Sequence, residues 1–204
     1  MFVDELTEMN MELQKTIDTC SNKDNITMVL TEDVEQFRQL VNVLDPSKID
    51  FTKGGYFNNM KIEAYWGKLA DLSPSLQTSI SRIKNHGTVV SNTLTVLQKQ
   101  LKQASETSQR IKSEYEGFEA DESLMAQFIV TDTYISVIEN LITEYTIWQD
   151  RIKRIITTSA AALKQTIAFA RIDRRFGGYD TVTYKSNYAD MQSACSEFVS
   201  TRNR

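Results

Sequence analysis

Leu76, Ile83, Val90, Leu97, Ala104, Ile111 and Phe118 stand seven residues apart without a miss. A second column, Ile80, Gly87, Leu94, Leu101, Ser108 and Tyr115, repeats between them. Two apolar columns offset by three and four residues form a heptad seam, the pattern that makes one helix lie along another. A helix over residues 74–116 would be a rod of about 65 Å, at roughly 1.5 Å per residue. No β-strand reading survives that pattern, because a strand repeats every two residues.

The stretch from about Asp121 to Arg175 keeps a seam of its own. Tyr134, Leu141, Trp148, Ile155, Ala162 and Phe169 form one column, and Ile138, Tyr145, Ile152, Ser159 and Thr166 the other. A third column lies beside them: Phe128, Ile135, Ile142, Ile156, Leu163 and Ala170, interrupted by Gln149. A two-stranded coil needs two columns. Three adjacent ones put this helix against more than one neighbour, as in a bundle. Gly117 between the two stretches suits a left-handed helix stop, and "EADES" after it supplies the acidic residues that a helix start prefers.

Shorter amphipathic segments flank this hairpin. Phe2, Leu6, Met9, Leu13, Ile17 and Cys20 place a helix over about Asp4 to Thr19. Thr31 is read as the N-cap of a second helix, with Glu32 and Asp33 in its first turn and Pro46 beyond its end. A short helix over about 58–72 carries Ile62, Trp66 and Leu69, and Ser73-Pro74 reads as cap and first residue of the rod. Gly177-Gly178 stop the second long helix, and a last amphipathic helix buries Tyr184, Tyr188, Met191, Cys195 and Phe198. With only 7 glycines and 2 prolines in 204 residues, turns are too scarce for a sandwich or barrel.

The expected fold is therefore all-α: an elongated helical bundle built on a long antiparallel coiled-coil-like helical hairpin, with three shorter flanking helices. It is read as a single domain over 1–204. Acidic helices occupy 1–57, the short helix 58–72, the hairpin 73–176 and the C-terminal helix 179–204.

The net charge of −4 conceals a gradient. Residues 1–50 balance to −7 and residues 151–204 to +6. Such polarity bears on association more than on fold, and acidic helices folding back on basic ones is its simplest use. Cys20 and Cys195 each fall on an apolar helix face and read as two buried free thiols. The amino terminus is acidic and amphipathic, unlike a secretory leader, and no apolar run reaches the 18 or so residues of a spanning helix. A cytoplasmic protein, or part of a soluble assembly, is expected.

His86 is the one histidine. A metal site would ask for a ligand one helical turn away, at 82, 83, 89 or 90, and those positions hold Arg, Ile, Val and Val. No orienting acid lies within local reach for a general base. His86-Gly87 therefore reads as packing. Glycine inside a helix costs about 1 kcal/mol relative to alanine. A notch at Gly87 accepting Ile152 or the indole of Trp148 from the opposite helix would offset that.

Other chemistry has equally little to build on. There is no Glu-x-x-His pair for a di-metal bundle, no phosphate-cradling glycine loop and no nucleophile elbow. The sequence implies a chain that is not an enzyme and needs no cofactor or metal. Arg151, Lys153, Arg154, Lys164, Arg171, Arg174 and Arg175 share one helix, the last three near its C-terminal end, where cations oppose the helix dipole. Arg171, Arg174 and Arg175 are the candidate anion- or partner-binding residues. A pI near 5.2 counts against nucleic acid. The acidic hairpin tip, "EYEGFEADES", counts against membrane insertion. The function expected is a structural or adaptor subunit of a larger assembly, such as a secretion machine, a virion or a scaffold. It would work by contact with protein partners or with itself. The alternative is a membrane-active or anion- or nucleic-acid-binding helical protein using the basic 151–175 stretch.

Overall fold

The computed structural model of the chain describes residues 1–21, 23–171 and 181–200, with side chains throughout these except at 23–28, 165–171 and 181. The described residues are helical almost everywhere and include no strand. In chain order the helices are α1 (Phe2–Ser21), α2 (Lys23–Val43), α3 (Tyr56–Glu114), α4 (Glu122–Arg171) and α5 (Thr181–Ser200). Short 3₁₀ turns over Pro46–Lys48 and Phe118–Ala120 close the two main connections. The all-α reading and the long antiparallel α3–α4 pairing hold. The contacts group the chain into two compact units, to both of which α3 and α4 contribute.

The first unit comprises Met1–Thr27 and Thr88–Gln149: α1, the later part of α3 and the first part of α4. The first α3 column is inside, with Val90, Leu97, Ala104 and Ile111 fully buried, while in the second Leu94 and Ser108 are buried and Leu101 and Tyr115 half-buried. Leu6 of α1 joins Ile111, Leu124 and Phe128 in a core cluster, and Phe2, Tyr115 and Phe118 pack against it. Each leucine or isoleucine so removed from water contributes about 1.5–3 kcal/mol. Asn10 sits among them, only 5% exposed, and fixes which turn of α1 meets which turn of α4. Its Nδ2 donates to the Gln127 carbonyl and to Gln127 Oε1, while its Oδ1 accepts from the Thr131 hydroxyl at 2.8 Å. Shifting α1 by one turn would leave the Asn10 amide without these partners, at about 1–3 kcal/mol, while the Thr131 hydroxyl would keep the Gln127 carbonyl.

The second unit comprises Met28–Gly87 and Asp150–Arg204: α2, the start of α3, the later part of α4, and α5. Val34, Phe37 and Val41 face inward from α2, Leu44 from the turn just after it, and Tyr184, Tyr188, Met191, Cys195 and Phe198 from α5. At its centre the Tyr65 hydroxyl donates to the Leu44 carbonyl at 2.8 Å. The Tyr184 hydroxyl, 2.6 Å away, must therefore donate to Tyr65. Those two bonds tie the end of α2, the start of α3 and α5 together.

Two sequence expectations give way here. Thr31 is no cap: α2 begins at Lys23 and carries Thr31 and Asp33 in its interior, both buried. The cap-like letters lost to the continuing stripe Leu30, Val34, Phe37, Val41. Nor do Ser73-Pro74 restart the chain. The segment 58–72 is the first part of an uninterrupted α3, with Pro74 inside it. A proline there removes one backbone bond and costs about 3 kcal/mol. Leu69 and Leu76, seven apart, are both buried, and holding them on one face outweighs that loss.

At the turn, Gly117 has φ +91°, the left-handed conformation that its position asks of a glycine. The Asp121 carboxylate accepts from the Leu124 amide at 3.0 Å and so caps α4. Gly177-Gly178, expected to stop α4, lie outside the described residues. Cys20 and Cys195 are free and buried.

Candidate functional site

The residues that α2 and α3 bring together in the second unit form the most built polar feature of the described chain. Asp33 is 9% exposed although it carries a carboxylate. His86 Nε2 lies 2.9 Å from Asp33 Oδ2, a partner 53 positions away in sequence. The Arg82 guanidinium stands 3.9 Å from Oδ1 of the same carboxylate. The missing orienting acid of the sequence reading is therefore supplied by α2, a correction that neighbourhood in sequence could not have given. One signal was present: Asp33 stands on the apolar stripe, three after Leu30 and four before Phe37, where an acid must have a partner.

From Arg82 an open groove of about 610 Å³ runs between the two helices. On α2 it is lined by Gln36, Gln39, Leu40 and Val43, and on α3 by Pro74, Ser75, Thr78, Ser79 and Arg82. These follow helical spacing on each wall, so the groove is the unfilled outer seam of the α2–α3 pair. Arg82 is the only charged residue in the lining. On the first unit, a second groove of about 550 Å³ lies between α1 and α3 and is lined in part by Lys15, Thr16, Cys20, Thr93 and Val96.

The notch lies on the opposite side of α3. A Cβ placed at Gly87 would fall 2.9 Å from Ile152 Cγ2 and 4.0 Å from Ile156 Cδ1. Ile152 thus occupies the space that glycine leaves. Trp148, the other candidate for the notch, stacks instead on Tyr145, ring centroids 5.1 Å apart.

Of the basic stretch, Arg154 is bonded to Glu197 of α5, an acid-base pairing of helix against helix. Arg171 ends the described part of α4, and its side chain, like Arg174 and Arg175, lies outside the described residues.

Burial dominates the titration of the interior. It pushes the Cys195 thiol up to about 12, with Arg38 acting the other way, and the Tyr145 phenol up to about 12. Tyr65 and Tyr184 are driven higher still by the same cause. These are groups held neutral, unlike a poised nucleophile. By contrast, the forked bond from Arg38 holds Glu35 below its ordinary value. Among the described residues no cluster of three or more His, Cys, Asp or Glu is placed to hold a metal, and no helix is long and apolar enough to cross a membrane.

Family models, curated proteins and solved structures were each compared with the chain, and none matched it.

Proposed function

We propose that the chain is a non-enzymatic structural or adaptor subunit of a larger protein assembly, acting through the packing of its helices. The observation that carries this reading is the open α2–α3 groove. It is a seam between two helices some two turns long, with Leu40, Val43 and Pro74 facing outward and one cation at its end. Partner helices are received by seams of that kind. Supporting it, the titratable groups that meet in the second unit are engaged in holding helices together: Asp33 with His86, and Tyr65 with Tyr184 and Leu44. Groups so occupied give a rigid shape, and a rigid shape presents a surface at low entropic cost. A secretion machine, a virion or a scaffold would use such a part.

The test places a photo-crosslinking side chain at Thr78, in the groove, and at Glu139, away from it, in the full chain in its native extract. Light scattering on the purified protein runs beside it. Crosslinks to a protein, or to a second copy, from Thr78 and not from Glu139 are expected. A compact monomer that crosslinks to nothing from either position would overturn the reading, and so would turnover of a substrate by the pure protein.

A further inference from the structure

The connection between α2 and α3 shows an unusual combination: a loop tied down on several sides, leading into a first helical turn that holds large apolar side chains in water. Asn58 donates from Nδ2 to the carbonyls of Asp50 and Lys53, both at 2.7 Å, pinning the loop to the first turn of α3. The Asp50 carboxylate accepts from the amide and the hydroxyl of Thr52. Lys185 of α5 donates to the Ile49 carbonyl at 2.7 Å and lies over the Phe51 ring. Phe51 itself packs on Tyr65 and Trp66 at 5.7 Å each. Gly55 turns the chain with φ +118°, and its carbonyl accepts the Asn59 amide that starts the helix.

Where α3 leaves this fixed loop, its first turns hold Tyr56 73% exposed, Phe57 79% and Met60 52%. The two rings meet edge to face, centroids 5.6 Å apart. A Cβ at Gly54 or Gly55 would touch nothing within 4 Å, so the tip projects into open space. Lys48, Lys53 and Lys61, all exposed, lie within eight residues of Tyr56 along the chain, Lys53 beside Asp50 at 3.9 Å, and residues 46–61 balance to +2 in a chain of −4.

We propose that this tip docks peripherally on an anionic lipid surface, with Tyr56, Phe57 and Met60 entering to the depth of the headgroups and the lysines meeting lipid phosphates. A protein partner would have to offer a cavity shaped to a projecting tip. A bilayer yields to any rigid apolar point, and its interface favours aromatic rings flanked by cations. The local positive balance complements anionic lipid, where each lysine adds about 1 kcal/mol near the surface. Fixing the loop in advance removes the ordering entropy that a slack loop would lose on docking. Such docking is independent of the groove and would tether an assembly subunit to a membrane face.

The test is co-sedimentation of the full chain with vesicles of phosphatidylcholine alone and of phosphatidylcholine carrying phosphatidylserine, at low and high salt. Binding to the serine-containing vesicles, weakened by salt, is expected. A Tyr56→Ser/Phe57→Ser variant should lower the bound fraction by about tenfold with unchanged helicity, since both rings already face water. Lys53→Glu/Lys61→Glu should abolish the preference for phosphatidylserine. A Phe57→Trp variant should be quenched by brominated acyl chains more than the parent is. No binding to either vesicle would overturn the proposal. Equal binding by the Tyr56→Ser/Phe57→Ser variant would do the same, as would a change of that variant from oligomer to monomer in place of any lipid effect. None of these outcomes touches crosslinking from the groove, so the assembly reading stands or falls separately.

Discussion

Replacing Gly87 by alanine sets two effects of known sign against each other. Alanine improves helix propensity by about 1 kcal/mol. Against that, its Cβ would lie 2.9 Å from Ile152 Cγ2, where carbon atoms rest at about 3.5–4.0 Å. Ile152 is 2% exposed and branched at Cβ, so the methyl can move neither into solvent nor to another χ1 well without disturbing α4. Overpacking of this kind costs about 1–3 kcal/mol. The expected net result for Gly87→Ala is a loss of about 1 kcal/mol. In an Ile152→Ala background the methyl is gone and the same substitution should gain about 1 kcal/mol, a coupling of about 2 kcal/mol. Urea denaturation of the four proteins, followed by circular dichroism, reads all three quantities. If Gly87→Ala stabilises both backgrounds equally, Ile152 does not fill a notch and the reasoning about this glycine fails.

Three further outcomes follow from the interior. His86→Ala leaves the buried Asp33 carboxylate with only Arg82, at 3.9 Å, and should lower thermal stability by about 1–3 kcal/mol; Asp33→Asn, which keeps a hydrogen-bonding group for His86, should lose less. Ser159 Oγ is buried without a hydrogen-bond partner, so Ser159→Ala should raise stability by about 1 kcal/mol in the same assay. Alkaline pH should weaken the fold: the Cys195 thiol has its ordinary value, 9.0, when unfolded and about 12 when folded. Between those values the unfolded chain releases a proton that the folded chain keeps, so stability falls as pH rises, by up to about 4 kcal/mol from this group. A pH titration of stability in Cys195→Ala that kept the parent's slope over that window would contradict the assignment.

Much of the fold was legible in the sequence because the seam is written at fixed intervals. Leu76, Ile83, Val90, Leu97, Ala104 and Ile111 are buried one after another, as their spacing requires. The notch residue opposite Gly87 could be counted across the turn for the same reason. What failed was local punctuation. Thr31 and Ser73-Pro74 carry helix-start chemistry, yet burial of the residues on either side overrode it. The candidate site was the least legible part. The Asp33–His86 pair and the groove beside it depend on how two helices lie together, which no periodicity within one helix encodes. The loop clamped by Asn58 was visible only as a proline and a glycine pair, since its order comes from carbonyls and one amide side chain.

Pro74 gives α3 a property that no other described position of that helix has. Lacking an amide hydrogen, it leaves the carbonyl of Ala70 without the donor that the helical ladder would supply. One rung is therefore missing from the ladder at that turn, which makes it easier to bend than the turns on either side. Pro74 also lines the α2–α3 groove, so an occupant seated there would bear on the turn whose hydrogen-bond ladder is thinnest.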